Sequence, residues 1–101
     1  MSRLLGLIGL GYRGGRVAVG VEAVRKELQA GKCWCVVVAE DASPRAVDKV
    51  VRLASAKGVP ILAGPRAVAI GAQLGKPPVM AVGVRDRALA NGMVPLAPVR
   101  S

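Results

Sequence analysis

The sequence predicts an α/β fold, a four-stranded sheet with helices on both of its faces. Three observations carry that reading. Helical stretches with start and stop signals alternate with short runs of β-branched residues, an order that places helices against a sheet. The hydrophobic fraction of 52% is spread along the whole chain and comes mainly from Ala, Val and Leu, so a packed core is expected. A chain of 101 residues has room for one domain, and a domain of that size buries roughly two thirds of the surface its unfolded chain exposes.

The elements follow in chain order. The apolar start, Leu4 to Leu10, comes first as a helix, and Val17 to Val19 is a short candidate strand. A helix is expected from Val21 to about Ala30, with Val21, Val24 and Leu28 inward and Gly31 as its stop. The clearest helix lies between Ser43 and Gly58: Ser43 is a capping type, Pro44 suits the first helical position, and Gly58 suits the stop. Within it Val47, Val50, Val51 and Ala54 recur at helical spacing, while Arg45, Asp48, Lys49 and Arg52 fall on the other side. Another helix, Arg66 to about Leu74, gathers Ala67, Ile70, Gly71 and Leu74 on one side, and a short one runs from Arg87 to Asn91. Cys33 to Ala39, Val59 to Leu62 and Val79 to Val84 are apolar, β-branched runs bounded by Gly, Pro or charge, as buried strands are. Helical crossovers favour a mainly parallel sheet, with the first strand open to antiparallel pairing. Residues 1–93 are expected to form the domain and 94–101 a C-terminal tail.

Charge points to a polyanionic partner. Fifteen Lys and Arg against six Asp and Glu give a net charge of +9, and a pI near 10.9 is that of a nucleic-acid-binding domain. Phosphate is the partner that this excess fits best. A membrane surface fits less well, because no stretch pairs a basic face with bulky Trp, Phe and Leu. Tyr12 and Trp34 are the only aromatics, which argues against modes in which bases stack on several exposed aromatic side chains. An acidic protein partner of the ribosome or transcription machinery is the alternative from a different class.

Enzymatic chemistry is poorly provided for, and no cofactor is expected. The chain has no histidine, the commonest general base. Two cysteines, Cys33 and Cys35, sit two apart in a strand-like run, on one face, with too few partners for a zinc site and no context for a disulfide. Glu40-Asp41 lies just before a capped helix, where negative charge is favourable at the N-terminus. Gly9-Leu10-Gly11-Tyr12-Arg13-Gly14 matches the dinucleotide fingerprint literally and makes a small nucleotide-binding enzyme the other alternative. Yet Gly15, Val17 and Val19 continue extended where that fingerprint needs a helix, and no acidic residue closes a second strand about twenty residues on. Close helix packing is the ordinary role for these glycines. No segment reaches the ~18 apolar residues of a membrane span, and Leu10 runs into Tyr12 and Arg13 without a cleavage pattern, so the cytoplasm is the expected compartment.

Six phrases stand in order along the chain: Ile8-Gly9-Leu10, Gly15-Arg16, Gly20-Val21-Glu22-Ala23-Val24, Ala39-Glu40-Asp41-Ala42-Ser43-Pro44, Gly58-Val59-Pro60, and Ile70-Gly71 with Leu74-Gly75-Lys76. With them the stretch Leu4 to Ala90 resembles the kink-turn-binding ribosomal proteins of the L-seven-Ae and L-thirty-e superfamily, and among them the small bacterial members. The resemblance implies a single-domain three-layer α/β/α sandwich with a mixed sheet. It also implies a monomeric, non-enzymatic partner of structured RNA, either a kink-turn or ribosomal RNA, with the ribosome as its setting. Family members that bind kink-turns carry Gly-x-Asn-Glu-x-x-Lys at the start of the second helix; the matching positions here are Gly20, Val21, Glu22, Ala23 and Lys26. Glu22 and Ala23 replace the two base readers, while the glycine and the lysine persist. A carboxylate only accepts hydrogen bonds, so Glu22 suits a cytosine amino group or a guanine N–H edge and repels phosphate. Unless it reads a base, Glu22 is expected to pair with Lys26 along the helix. The family's second contact is the loop after the third strand, here Ala63-Gly64-Pro65-Arg66, with Gly64 permitting close approach and Arg66 supplying charge. Arg13, Arg16 and Lys32 are expected to add positive charge near the same end of the sheet, with Gly15 beside Arg16 as a further RNA-contacting position.

Overall fold

A computed structural model describes residues 3–99 and gives the element order α1 (Arg3–Arg13), β1 (Val17–Val19), α2 (Val21–Gln29), β2 (Cys35–Ala39), α3 (Pro44–Ala56), β3 (Ile61–Gly64), α4 (Ala67–Leu74), β4 (Ala81–Val84) and α5 (Arg87–Met93), closed by a 3-10 turn at Val94–Leu96. The order matches the sequence pattern, and the strands are shorter than their apolar runs. Cys33, Val59 and Val79 lie before the ladders begin.

The strands form one sheet in the order β1-β4-β2-β3. β2 and β3 pair in parallel, Val36 opposite Ile61 and Ala39 opposite Gly64. β4 lies antiparallel to both of its neighbours, with Val84 opposite Val17 on one side and Cys35 on the other. β1, β2 and β3 run in one direction, with α2 and α3 as the crossovers, and β1 pairs antiparallel as the sequence left open; the expectation of mainly parallel pairing fails because β4 enters between β1 and β2 in the opposite direction. The sheet is mixed.

α2 and α3 pack together on one face, and α1, α4 and α5 on the other. Between these layers β2 is buried at all five positions, which is why Cys35-Val36-Val37-Val38-Ala39 reads as a continuous apolar run and not as an alternating one. The helix stripes are placed as their spacing requires: Val24 and Leu28 of α2, Val47, Val50 and Ala54 of α3, and Ala67 and Ile70 of α4 join the core, with Val21, Val51 and Leu74 packed against it. Gly58, at φ 68°, ends α3 in the left-handed conformation. Ser43 occupies the cap position of α3 without a side-chain cap bond; its carbonyl oxygen accepts from the amides of Ala46 and Val47.

Of the dinucleotide-like glycines, Gly9 and Gly11 lie inside α1 and Gly14 follows its end, so none sits in a turn after a strand. Gly9 and Gly11 are buried, and a Cβ at Gly11 would fall 2.5 Å from Leu89 Cδ2 and 3.0 Å from Val17 Cγ1. They let α1 approach α5 and β1 closely, the packing role expected for them. Of the segment 94–101, residues up to 99 are described: Val99 bridges Leu62, and the amide of Ala63 donates to the Pro98 carbonyl at 2.9 Å, along the outer edge of β3.

Candidate nucleic-acid interface

One end of the sheet collects the carboxyl ends of β1, β2 and β3 beside the start of β4. β1 ends at Val19, and Gly20 follows at φ 97° and ψ 155°, a region that only glycine occupies readily. Its amide donates to the Ala81 carbonyl at 2.9 Å, and its own carbonyl accepts from Val24, so the chain leaves the sheet and enters α2 within one residue. No described residue accepts from the amides of Val21, Glu22 and Ala23. They are the free donors of a helix start, with the positive end of the helix dipole behind them.

The neighbouring strands bring up the second loop. Ala39 at the end of β2 donates to Met80, and Glu40 donates to the Pro65 carbonyl at 3.1 Å. Pro65 and Arg66 thus sit on the same end of the sheet as Gly20, with β1 and β3 as the two outer strands of the β1-β4-β2-β3 order. Gly20, Val21 and Glu22 at the start of α2 and Gly64, Pro65 and Arg66 at the end of β3 share this end of the sheet, while Lys26 lies in the last turn of α2.

Three members behave differently from their sequence reading. Glu22 pairs with Arg25, at 3.0 Å, and not with Lys26; the ammonium of Lys26 has no ion-pair partner among the described residues. Gly64 is the last residue of β3, and its bareness serves packing: a Cβ there would lie 2.5 Å from Val37 Cγ1 and 3.2 Å from the Val38 carbonyl oxygen. Arg66 lies 3.8 Å from Glu40 across the loop. Asp41, expected to serve the start of the adjacent helix, instead accepts from the Ala67 amide at 2.8 Å. The carboxylate occupies the start of α4, the helix twenty-six residues away, and not that of the adjacent α3. Nothing local in the sequence marks that pairing.

Gly15, Arg16 and Lys32 lie elsewhere. Arg16 precedes β1, and its carbonyl accepts from Arg85, which follows β4. Lys32 follows the C-terminal end of α2 and precedes β2. All three occupy the opposite end of the sheet from Gly20, because each stands where a strand begins and the interface is built where β1, β2 and β3 end. The expected clustering of these residues with α2's N-terminus, and of Arg13 with them, is thereby overturned.

Charge at the Gly20 end is close to balanced. Glu22, Glu40 and Asp41 are half of the chain's six carboxylates, and Arg25, Lys26, Arg45 and Arg66 are the cations beside them. The two thiols are internal: burial pushes Cys33 up to about 11 and Cys35 up to about 12, from an ordinary value of 9.0. They stay protonated and unreactive at neutral pH.

A model of the Ribosomal protein L7Ae/L30e/S12e/Gadd45 family matches residues 3–93. The chain belongs to this family. An RNA-binding protein of Geobacillus sp. (strain WCH70), GWCH70_0105, is 40% identical over 47 residues, which are 46% of this chain and 57% of that protein. The match thus spans a little over half of the relative. Among solved structures, the Giardia lamblia 15.5kD RNA binding protein superposes with a TM-score of 0.79 at 25% identity, covering 92% of this chain and 80% of that one. A Bacillus halodurans C protein of unknown function superposes at 0.88 over 95% of this chain and 97% of its own, and at 24% identity it shows the L7Ae-type fold alone.

Proposed function

We propose that this protein binds structured RNA, seating a bent stem on the N-terminus of α2 and the Pro65-Arg66 loop. One observation carries the reading. Gly20, in a conformation of its own, turns β1 into α2 so that three unbonded amides stand at the end of the sheet where Arg66 stands, with Lys26 further along the same helix. Amides at a helix start accept a phosphate without reading sequence, and Lys26 and Arg66 add the charge that such contacts need. Family membership and two RNA-binding relatives support the same partner. Glu22 and Ala23 stand where the resemblance implies Asn and Glu, so a kink-turn is preferred over a straight duplex by a smaller margin than in relatives with both readers. The proposed setting is cytoplasmic, with the protein acting as a monomer on kink-turn or ribosomal RNA, and without catalysis.

The test is binding to a kinked stem and to a straight duplex of matched composition. Affinity for the kinked stem should fall steeply with salt. Lys26→Ala should weaken it by about 1–2 kcal/mol, the range of a charge-assisted hydrogen bond, with an unchanged melting curve. Affinity that is flat in salt, or equal in Lys26→Ala and the parent protein, would place the contact elsewhere.

A further inference from the structure

We propose a second RNA-contacting surface at the opposite end of the sheet, centred on Trp34, that takes single-stranded RNA by stacking a base on the indole and holding flanking phosphates with arginine. It is independent of the α2 surface.

The placement of Trp34 is the first observation. Cys33 and Cys35 are buried on either side of it, and its amide is held by the Val84 carbonyl at 2.8 Å, so the backbone is fixed as it enters β2. The side chain points outward and is 50% exposed. A tryptophan offers 150–250 Å² of contact, and leaving half of it in water contributes little to the fold.

The surroundings are the second observation. The guanidinium of Arg87, in the first turn of α5, lies 5.5 Å from the indole centroid, which restrains the ring by a cation–π contact. Arg16, Arg85 and Lys32 gather at the same end of the sheet, where β1 and β2 begin and β4 ends. Arg16 is 3.6 Å from Asp86 and remains 59% exposed; Arg85 pairs with Glu27 and is also bonded to the Gly15 carbonyl. Two carboxylates face four cations and the nearby Arg13. This end is therefore the more positive of the two, since at the Gly20 end three carboxylates face four cations.

A planar aromatic group flanked by arginines is the chemistry of single-strand binding, in which bases stack and phosphates are neutralised with little sequence preference. An acidic peptide would use the charge but has no use for a ring held open to water. A straight duplex would reach the arginines and leave the indole idle, because its bases are already stacked.

Trp34 is the single tryptophan, so indole fluorescence reports on this surface alone. The intact protein is titrated with oligouridine, following fluorescence with the protein and anisotropy with a labelled strand. Saturable quenching is expected. Trp34→Ala should weaken oligouridine binding by about 5- to 100-fold, the worth of one stacked base, and Trp34→Phe should recover most of it. Arg87→Ala should weaken binding as well, and Lys26→Ala should leave the quench as it is, while lowering affinity for the kinked stem if the α2 surface binds it. Oligouridine that binds without quenching, or equally well to Trp34→Ala, would overturn the proposal, as would no binding at low salt. Quenching by polyglutamate but not by oligouridine would overturn it in favour of an acidic protein partner. Should Trp34→Ala melt at a lower temperature than the parent, the quench and the Trp34→Phe affinity still decide.

Discussion

Replacing Gly20 with alanine should destabilise the fold although the added methyl group touches nothing. At φ 97° and ψ 155° the residue lies in a region open to glycine and almost closed to other residues, and no atom stands within 4 Å of an ideal Cβ. The whole penalty is then backbone strain, about 1–3 kcal/mol, offset by about 0.4–1 kcal/mol because alanine also restricts the unfolded chain. A net loss of about 1–2 kcal/mol lowers the melting temperature of a domain this size by about 4–16 °C. Gly6→Ala is the internal control. Gly6 lies in the middle of α1 with nothing within 4 Å of its Cβ, and there the same change should stabilise by roughly 0.5–1 kcal/mol. Thermal unfolding followed by circular dichroism compares the two variants. Opposite shifts are the expected outcome, and a Gly20→Ala protein that melts with the parent would refute the strain argument. RNA binding then separates two responses: if Gly20→Ala keeps its geometry under strain, affinity for the bent stem holds; if it relaxes φ, it loses the bond to Ala81 and the orientation of α2 with it.

Further outcomes follow from single positions. The double substitution Glu22→Asn and Ala23→Glu restores both base readers and should tighten kink-turn binding by ~1 kcal/mol or more, with straight-duplex binding nearly unchanged; equal gains on both RNAs in the same anisotropy assay would mean a nonspecific effect. Gly64→Ala forces a methyl group against Val37 and the Val38 backbone and should cost about 1–3 kcal/mol as overpacking, read as a lowered denaturation midpoint, whereas a glycine kept for RNA approach alone would leave stability intact. Burial raises both thiols, so the stability they contribute is fully present below pH about 9 and is lost as pH rises toward about 11 for Cys33 and about 12 for Cys35. Accordingly the decline in stability above pH 9 should be shallower in Cys35→Ala than in the parent, and iodoacetamide at neutral pH should label neither thiol until denaturant is added.

How far the fold was legible depended on whether its cause was local. α3 could be read because Pro44, the Val47-Val50-Val51-Ala54 stripe and Gly58 all lie within its own span, and β2 because a run buried on both faces needs no alternation. The direction of β4 was not legible. Its sequence, Ala81-Val82-Gly83-Val84, is compatible with either direction, and the antiparallel pairing is decided by where the chain returns after α4. Gly9 and Gly11 could be assigned to packing, but their partners, α4 and α5 for the one and the other, come from the far end of the chain.

The same distinction explains the site. Gly20 and Lys26 belong to one helix, at its entry and in its last turn, so their relation was visible in spacing; Arg66 joined them through the resemblance, and the shared direction of β1 and β3 puts it at the same end of the sheet as Gly20. Arg16 and Lys32 were assigned to the wrong end on the resemblance alone; they stand four and twelve residues from Gly20, with β1 between in the one case and α2 in the other. A helix of nine residues carries the chain about 13 Å, enough to put Lys32 beyond the reach of a phosphate seated on the first turn. Net charge misled in the same way. A value of +9 suggests one basic face, yet Glu22, Glu40 and Asp41 draw the balance toward zero where the bent stem is proposed to sit. On the proposed function, phosphate binding at that end would rest on oriented amides and on Lys26, and the long-range attraction for RNA would originate mainly from the cations around Trp34 and along α3. Raising salt should slow association more than it shortens the lifetime of the complex, since screening acts on the distant charges first.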